Sequence, residues 1–103
     1  MIKVSVLYPN ADDAQFDFDY YCNVHIPLIA ELLGDALISS SADAGLAGGA
    51  PNEAPAYIAM GHLVFESVES FQNSFAPHTD KILADLVNFT NTQPQIQISK
   101  IKL

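Results

Sequence analysis

Three histidines, one cysteine and a surplus of carboxylates define the chemistry this chain can attempt. His25 is the leading acid–base candidate, because an imidazole changes charge near neutral pH and can both accept and deliver a proton. Tyr21 stands one helical turn before it, so on a helix both project on the same side, where the phenol can orient a polar substrate group or bond to the imidazole. Asp85 falls at the end of a second helical pattern, where a carboxylate opposes the helix dipole unless something compensates it; orienting a histidine would do so. His62 completes the set, on a strand. Each has a plainer reading beside it: a core histidine satisfied by a backbone carbonyl, an amphipathic core tyrosine, a solvated aspartate and, for His62, a residue in a seam between two copies.

Other chemistries lack their signatures. The three histidines have no compact spacing such as His-x-x-x-His, so no metal site is expected, and His78 with Asp80 after Pro77 reads as an exposed turn. There is no Gly-rich phosphate loop, nucleophile elbow or dinucleotide fingerprint, since Gly48-Gly49 is not followed by a helical pattern, and no cofactor is expected. Cys22 is alone, which excludes an intrachain disulfide; it reads as a small buried side chain in a reducing compartment. Four Lys+Arg against twelve Asp+Glu give a formal charge of −8, a surface that repels phosphate backbones and anionic headgroups, so neither nucleic acid nor membrane is an expected partner. Met1 to Tyr8 lack a signal-peptide h-region and no uninterrupted apolar stretch approaches a membrane span, so a cytoplasmic location is expected.

A length of 103 residues predicts one domain over 1–103, and its elements must bring the candidate residues together. Alternation over 2–8 gives a first strand that stops at Pro9-Asn10. From Phe16, apolar residues recur at three- and four-residue steps until Gly34, predicting an amphipathic helix that Pro27 should kink or restart near His25. Asp35 to Asp43 read as a weaker second strand, and Ala44 to Pro55 as a loop. Tyr57 to Glu66 form the clearest strand, with Tyr57, Ala59, Gly61, Leu63 and Phe65 on one parity and Ile58, Met60, His62, Val64 and Glu66 on the other. Ser67 then caps a second helix whose buried stripe is Val68, Phe71, Phe75, Ile82, Leu83 and Leu86, interrupted at Pro77. Alternation returns from Gln95 and runs to Leu103.

The order β-α-β-β-α-β is the ferredoxin-like α+β arrangement, an antiparallel four-stranded sheet carrying both helices on one face. Both parities of the third strand are largely apolar, so the face away from the helices is expected to pack on the same face of a second copy, giving a dimeric α+β barrel. If Ala59 and Gly61 face the helices, His62 belongs to that seam; the opposite parity puts it beside His25.

Several segments resemble the EthD family, named for a protein of ethyl tert-butyl ether degradation, within the dimeric α+β barrel superfamily. They are Tyr21 with the step His25-Ile26-Pro27, the strand Ala59 to Phe65, the turn Phe65 to Phe71, and Ala84-Asp85-Leu86-Val87-Asn88-Phe89-Thr90, in order along nearly the whole chain. The resemblance implies the barrel architecture and little about chemistry, because the superfamily carries polyketide cyclases, cofactor-free monooxygenases, lactone isomerases and haem enzymes on one scaffold. EthD itself is associated with a cytochrome P450 monooxygenase system.

The reading that follows is a small enzyme, possessing no cofactor, that binds an apolar, oxygenated organic molecule between sheet and helices and works as a cofactor-independent acid–base or an oxidoreductase-linked catabolic enzyme using His25, with Tyr21, Asp85 and His62 as the other catalytic candidates. Tyr57, Ala59, Gly61, Leu28, Phe71 and Phe89 are the expected substrate-binding residues, Ala59 and Gly61 because their small size hollows out space. The alternative is a non-catalytic ligand-binding or auxiliary protein of a monooxygenase degradation pathway.

Overall fold

The computed structural model describes residues 1–103. Strand β1 (Ile2–Pro9) is followed by a first helical arm over 18–33, then β2 (Ser39–Ala44), β3 (Tyr57–Phe65), a second helical arm over 68–88 and β4 (Gln95–Lys100). The strands pair antiparallel in the order β2-β3-β1-β4. This is the ferredoxin-like α+β arrangement that the alternation pattern predicts.

Strand parity decides which side chains meet the arms. Ile2, Val4 and Tyr8 of β1 and Ala59, Gly61, Leu63 and Phe65 of β3 are buried. The intervening Lys3, Ser5, Leu7, Met60, His62 and Val64 stay half-buried on the open face. Ile29 and Leu33 of the first arm and Ile82 of the second join Val4, Leu63 and Phe65 in the larger core cluster. Tyr8, Tyr21, Ala59 and Phe89 form a second, aromatic cluster at the other end of the sheet. Burying each large apolar side chain contributes roughly 1.5–3 kcal/mol, so these two clusters fix both arms to one sheet face.

Local sequence sets the arm boundaries. The first arm begins at Phe18, where the Asp17 carboxylate accepts the Tyr20 N–H at 3.0 Å as an N-cap. Phe16, expected to start the helix, forms an isolated bridge with Thr90 instead. The disturbance expected near Pro27 takes the form of a π-helical turn, Tyr21–His25, in which the Ile26 N–H reaches the Tyr21 carbonyl before the α-helix Ile26–Leu33 resumes. Proline has no N–H to offer the carbonyl four residues back, which favours such a rewinding. Cys22 is exposed, not buried as expected, because Tyr21 and His25 take the inward side of this turn. β2 starts at Ser39, later than expected, because Gly34, at φ 59°, ends the arm and Gly34–Ala36 wind a short 3-10 turn first.

The second arm breaks around Pro77 into Val68–Phe75, a 3-10 turn Ala76–His78, Thr79–Ala84 and a 3-10 turn Leu86–Asn88. Its buried stripe is less complete than the spacing predicts: Val68 is 39% and Leu83 47% exposed. Val68 sits in the first turn, next to the Ser67 cap, and beyond the break Ile82 takes the inward place beside Leu83. No helix is long and apolar enough to cross a membrane.

Candidate active site

The start of the first arm is laced to the segment after the second. Gln15 N–H donates to Asn91 Oδ1 at 2.8 Å, Asp17 N–H to the Phe89 carbonyl at 2.8 Å, and Thr90 Oγ1 to the Gln15 carbonyl at 2.8 Å. This lacing sets residues 20–25 against 85–89, although about sixty residues separate them in sequence.

At the junction, His25 Nδ1 and Asp85 Oδ2 lie 2.8 Å apart, with the imidazole buried and the carboxylate 13% exposed. An ionised carboxylate only accepts, so the pair fixes the imidazole with its proton on Nδ1 and a lone pair on Nε2. Asp85 is held from its other side: Tyr20 donates its hydroxyl to Oδ1 at 2.6 Å and Asn88 donates Nδ2–H to the same oxygen at 2.9 Å. The compensation that a carboxylate at a helix end requires is therefore three donated hydrogen bonds.

The environment sets protonation. Burial pushes His25 below the ordinary histidine range, outweighing the opposite pull of the Asp85 hydrogen bond and charge. For Asp85, partial burial acts upward, but the hydrogen bonds from Tyr20, Asn88 and His25 bring it below the usual carboxylate value. At neutral pH the pair is neutral imidazole and carboxylate, the state of a general base.

Nε2 has no hydrogen-bond partner in the protein and is not sealed in, and His25 lines a cavity of about 50 Å³ between the sheet and both arms. The other walls are apolar apart from the Tyr8 and Tyr21 phenols. Burial pushes Tyr21 up to about 12 and raises Tyr8 as well, so both remain neutral donors. Leu83, Leu86 and Pro94 form the boundary between this cavity and an outer groove of about 340 Å³.

Of the expected site residues, His25, Tyr21 and Asp85 come together. Tyr21 stacks on the imidazole, centroids 5.6 Å apart at 20°, leaving the hydrogen bond to Asp85. Phe89 backs the same ring at 4.5 Å. Gly61 lies under the Tyr21 hydroxyl, where a Cβ would stand 3.2 Å from Cζ and collide with the oxygen, and Ala59 is buried in the aromatic cluster. Tyr57 lies apart, donating to Gln95 Oε1 at 3.3 Å and lining a groove beside the 45–56 loop. Phe71 packs on Phe65 and Phe75 in the larger core, and Leu28 is half-buried outside the cavity wall. His62 is on the open face, across the sheet from His25, with Nδ1 2.9 Å from Ser5 Oγ and Nε2 3.5 Å from Asp43 Oδ2.

Tyr20, Asn88 and Tyr8 are the members that sequence reasoning missed. Tyr20 is five residues before His25, a spacing that an α-helix points elsewhere and the π turn brings into line. Asn88 carries a signal, three residues after Asp85, and Tyr8 shares the inward parity of Ile2 and Val4. No three His, Cys, Asp or Glu side chains converge to hold a metal ion.

Comparison with known proteins places this geometry in a family. Among solved structures, an EthD-like protein from Ralstonia eutropha JMP134 is 38% identical and superposes with a TM-score of 0.94, covering 99% of this chain and 92% of that one. An ethyl tert-butyl ether degradation (EthD) family protein from Bacillus halodurans C-125 is 20% identical, with a TM-score of 0.73 and 99% coverage of both chains. A dimeric ferredoxin-like protein from Thermobifida fusca YX is similar in fold alone, at 16% identity and a TM-score of 0.60 over 97% of this chain and 90% of that one. No curated protein matches the chain in sequence. The EthD domain model matches residues 9–93, which span the π turn, the His25–Asp85 pair and both helical arms, and the chain belongs to the EthD family.

Proposed function

We propose that this protein binds a small, uncharged, oxygenated organic molecule between sheet and helices, and that His25 moves a proton on it. The observation that carries the reading is a carboxylate-fixed imidazole, its Nε2 without a protein partner, on a residue that lines an apolar cavity. Asp85 positions the base, and the Tyr21 phenol, which accepts from the Tyr8 hydroxyl, keeps its own O–H to donate to an oxygen that gains negative charge when Nε2 removes a neighbouring proton.

Charge narrows the ligand. The sequence has no arginine, and Lys3, Lys81, Lys100 and Lys102 all lie outside the cavity wall. A carboxylate or phosphate taken into such a site would lose its water without gaining a cation, at a cost of several kcal/mol. Size narrows it too. A dry pocket of about 150 Å³ takes up benzene, so the inner cavity of about 50 Å³ admits a ring only if the half-exposed Leu83 swings outward. The body of a longer ligand then lies in the outer groove.

The protein acts as a homodimer in this reading, joined through the open sheet face. Leu7, Met60 and Val64 on that face are incompletely covered within the chain, and the Thermobifida fusca relative of the same fold is dimeric. The test is to recover the compound that co-purifies from the native host and follow its conversion, or its hydrogen exchange with D2O, by wild type and His25→Ala. Conversion or exchange lost in His25→Ala, with the dimer intact, is expected. A compound bound but unchanged by wild type would replace this reading with a carrier or auxiliary role.

A further inference from the structure

We infer that Tyr20 and Asn88 are positioning residues that set the basicity of His25 from the solvent side of the site, through Asp85. The inference rests on His25 being the acid–base group and adds what tunes it.

The two carboxylate oxygens are loaded unequally. Oδ2 faces only His25 Nδ1, at 2.8 Å, whereas Oδ1 receives both the Tyr20 hydroxyl at 2.6 Å and Asn88 Nδ2–H at 2.9 Å. A carboxylate whose charge is drawn into two donated bonds at one oxygen is a weaker partner for a cation at the other. Asp85 itself fixes the Nδ1–H tautomer through Oδ2, while Tyr20 and Asn88, bonded to Oδ1, reduce how strongly it favours imidazolium. The consequence is a base that stays unprotonated at neutral pH.

Tyr20 is built to do this. Its N–H is capped by Asp17 at 3.0 Å, its ring lies parallel to Phe89 with centroids 6.1 Å apart, and Phe89 in turn packs on His25. Asn88 is held in the 3-10 turn Leu86–Asn88, three residues after the carboxylate it serves. The only other titratable groups packed on the imidazole are the Tyr21 phenol, from its own arm, and across the cavity the Tyr8 phenol from β1. Both are kept neutral by burial, so no second charge competes with Asp85.

The test is a titration of the His25 ring nitrogens by long-range 1H–15N NMR on the ligand-free, full-length protein and on Tyr20→Phe, Asn88→Ala and Asp85→Asn. Tyr20→Phe keeps the ring against Phe89 and removes only the hydroxyl. Its His25 midpoint is expected to move up with the Nδ1–H tautomer retained, and Asn88→Ala to move the same way. Asp85→Asn is expected to move the midpoint down. If these side chains merely filled space, every variant would admit water, raise the midpoint and mix the tautomers. An upward shift in Asp85→Asn, mixed tautomers in Tyr20→Phe, or an unchanged midpoint in both Tyr20→Phe and Asn88→Ala would overturn the inference. Asn88→Ala carries the test if Tyr20→Phe fails to fold. Because the readout needs no substrate, it stands or falls separately from turnover.

Discussion

Gly61→Ala is a single-methyl perturbation with a calculable effect on the site. Gly61 is in the middle of β3, paired with Val6 on one side and Ala42 on the other, so its backbone cannot retreat. The added methyl meets the Tyr21 hydroxyl and lies 3.2 Å from Cζ. Tyr21 is only 2% exposed, and its ring contacts Tyr8, Phe16, His25 and Phe89 at centroid distances of 5.7, 5.0, 5.6 and 5.1 Å, so it cannot swing aside without moving the imidazole. Overpacking of this kind costs about 1–3 kcal/mol. For a domain of this size that corresponds to a fall in Tm on the order of 5–20 °C. Calorimetry of Gly61→Ala, Tyr21→Phe and the double variant gives a thermodynamic cycle. Removing the hydroxyl should relieve the clash, so the double variant should be more stable than the sum of the single effects by roughly 0.5–3 kcal/mol. An unchanged Tm in Gly61→Ala, or the same loss with and without the Tyr21 hydroxyl, would refute the argument that this glycine seats the phenol.

Other perturbations probe the remaining links. The pKa of His25 is depressed from 6.5, so below that pH the unfolded chain takes up the proton before the folded one and stability falls with acid until the folded value is passed. Urea midpoints measured from pH 8 downward should show this component in wild type and lack it in His25→Phe; equal acid sensitivity would count against a depressed imidazole. Thr90→Val removes the hydroxyl that donates to the Gln15 carbonyl and should destabilise by about 1–3 kcal/mol, with faster hydrogen exchange in the first arm than in β3; uniform exchange would disprove the lacing. Val64→Glu puts a charge on the open sheet face opposite Lys3 and Ser39 and should leave a folded monomer by sedimentation, while a persisting dimer would move the interface elsewhere.

The fold was legible because period-2 and period-3.6 patterns report directly on which side chains can share a face. Alternation in β3 narrowed His62 to one of two faces, and only the packing of Ala59, Leu63 and Phe65 under the arms chose between them. His25, Tyr21 and Asp85 could be picked out by residue type and position. Their joining depends on Tyr20, Asn88 and the lacing of 13–17 to 89–91, contacts between distant segments that no local pattern encodes. The π turn changed which residues face inward by inserting one residue per turn, so Cys22 came out and Tyr20 joined the site. Tyr57, Phe71 and Leu28 lie outside the cavity wall, Tyr57 reaching across the sheet to Gln95 and Phe71 packing on Phe65 in the larger core, contacts that no local pattern in the sequence encodes.

The most direct test of the central claim is the rate at which the compound recovered with the native protein exchanges hydrogen with D2O, measured by mass spectrometry on wild type and His25→Ala at equal protein concentration. Exchange accelerated by wild type and reduced to the uncatalysed rate in His25→Ala is the predicted result. Equal rates in the two proteins would contradict proton transfer by His25.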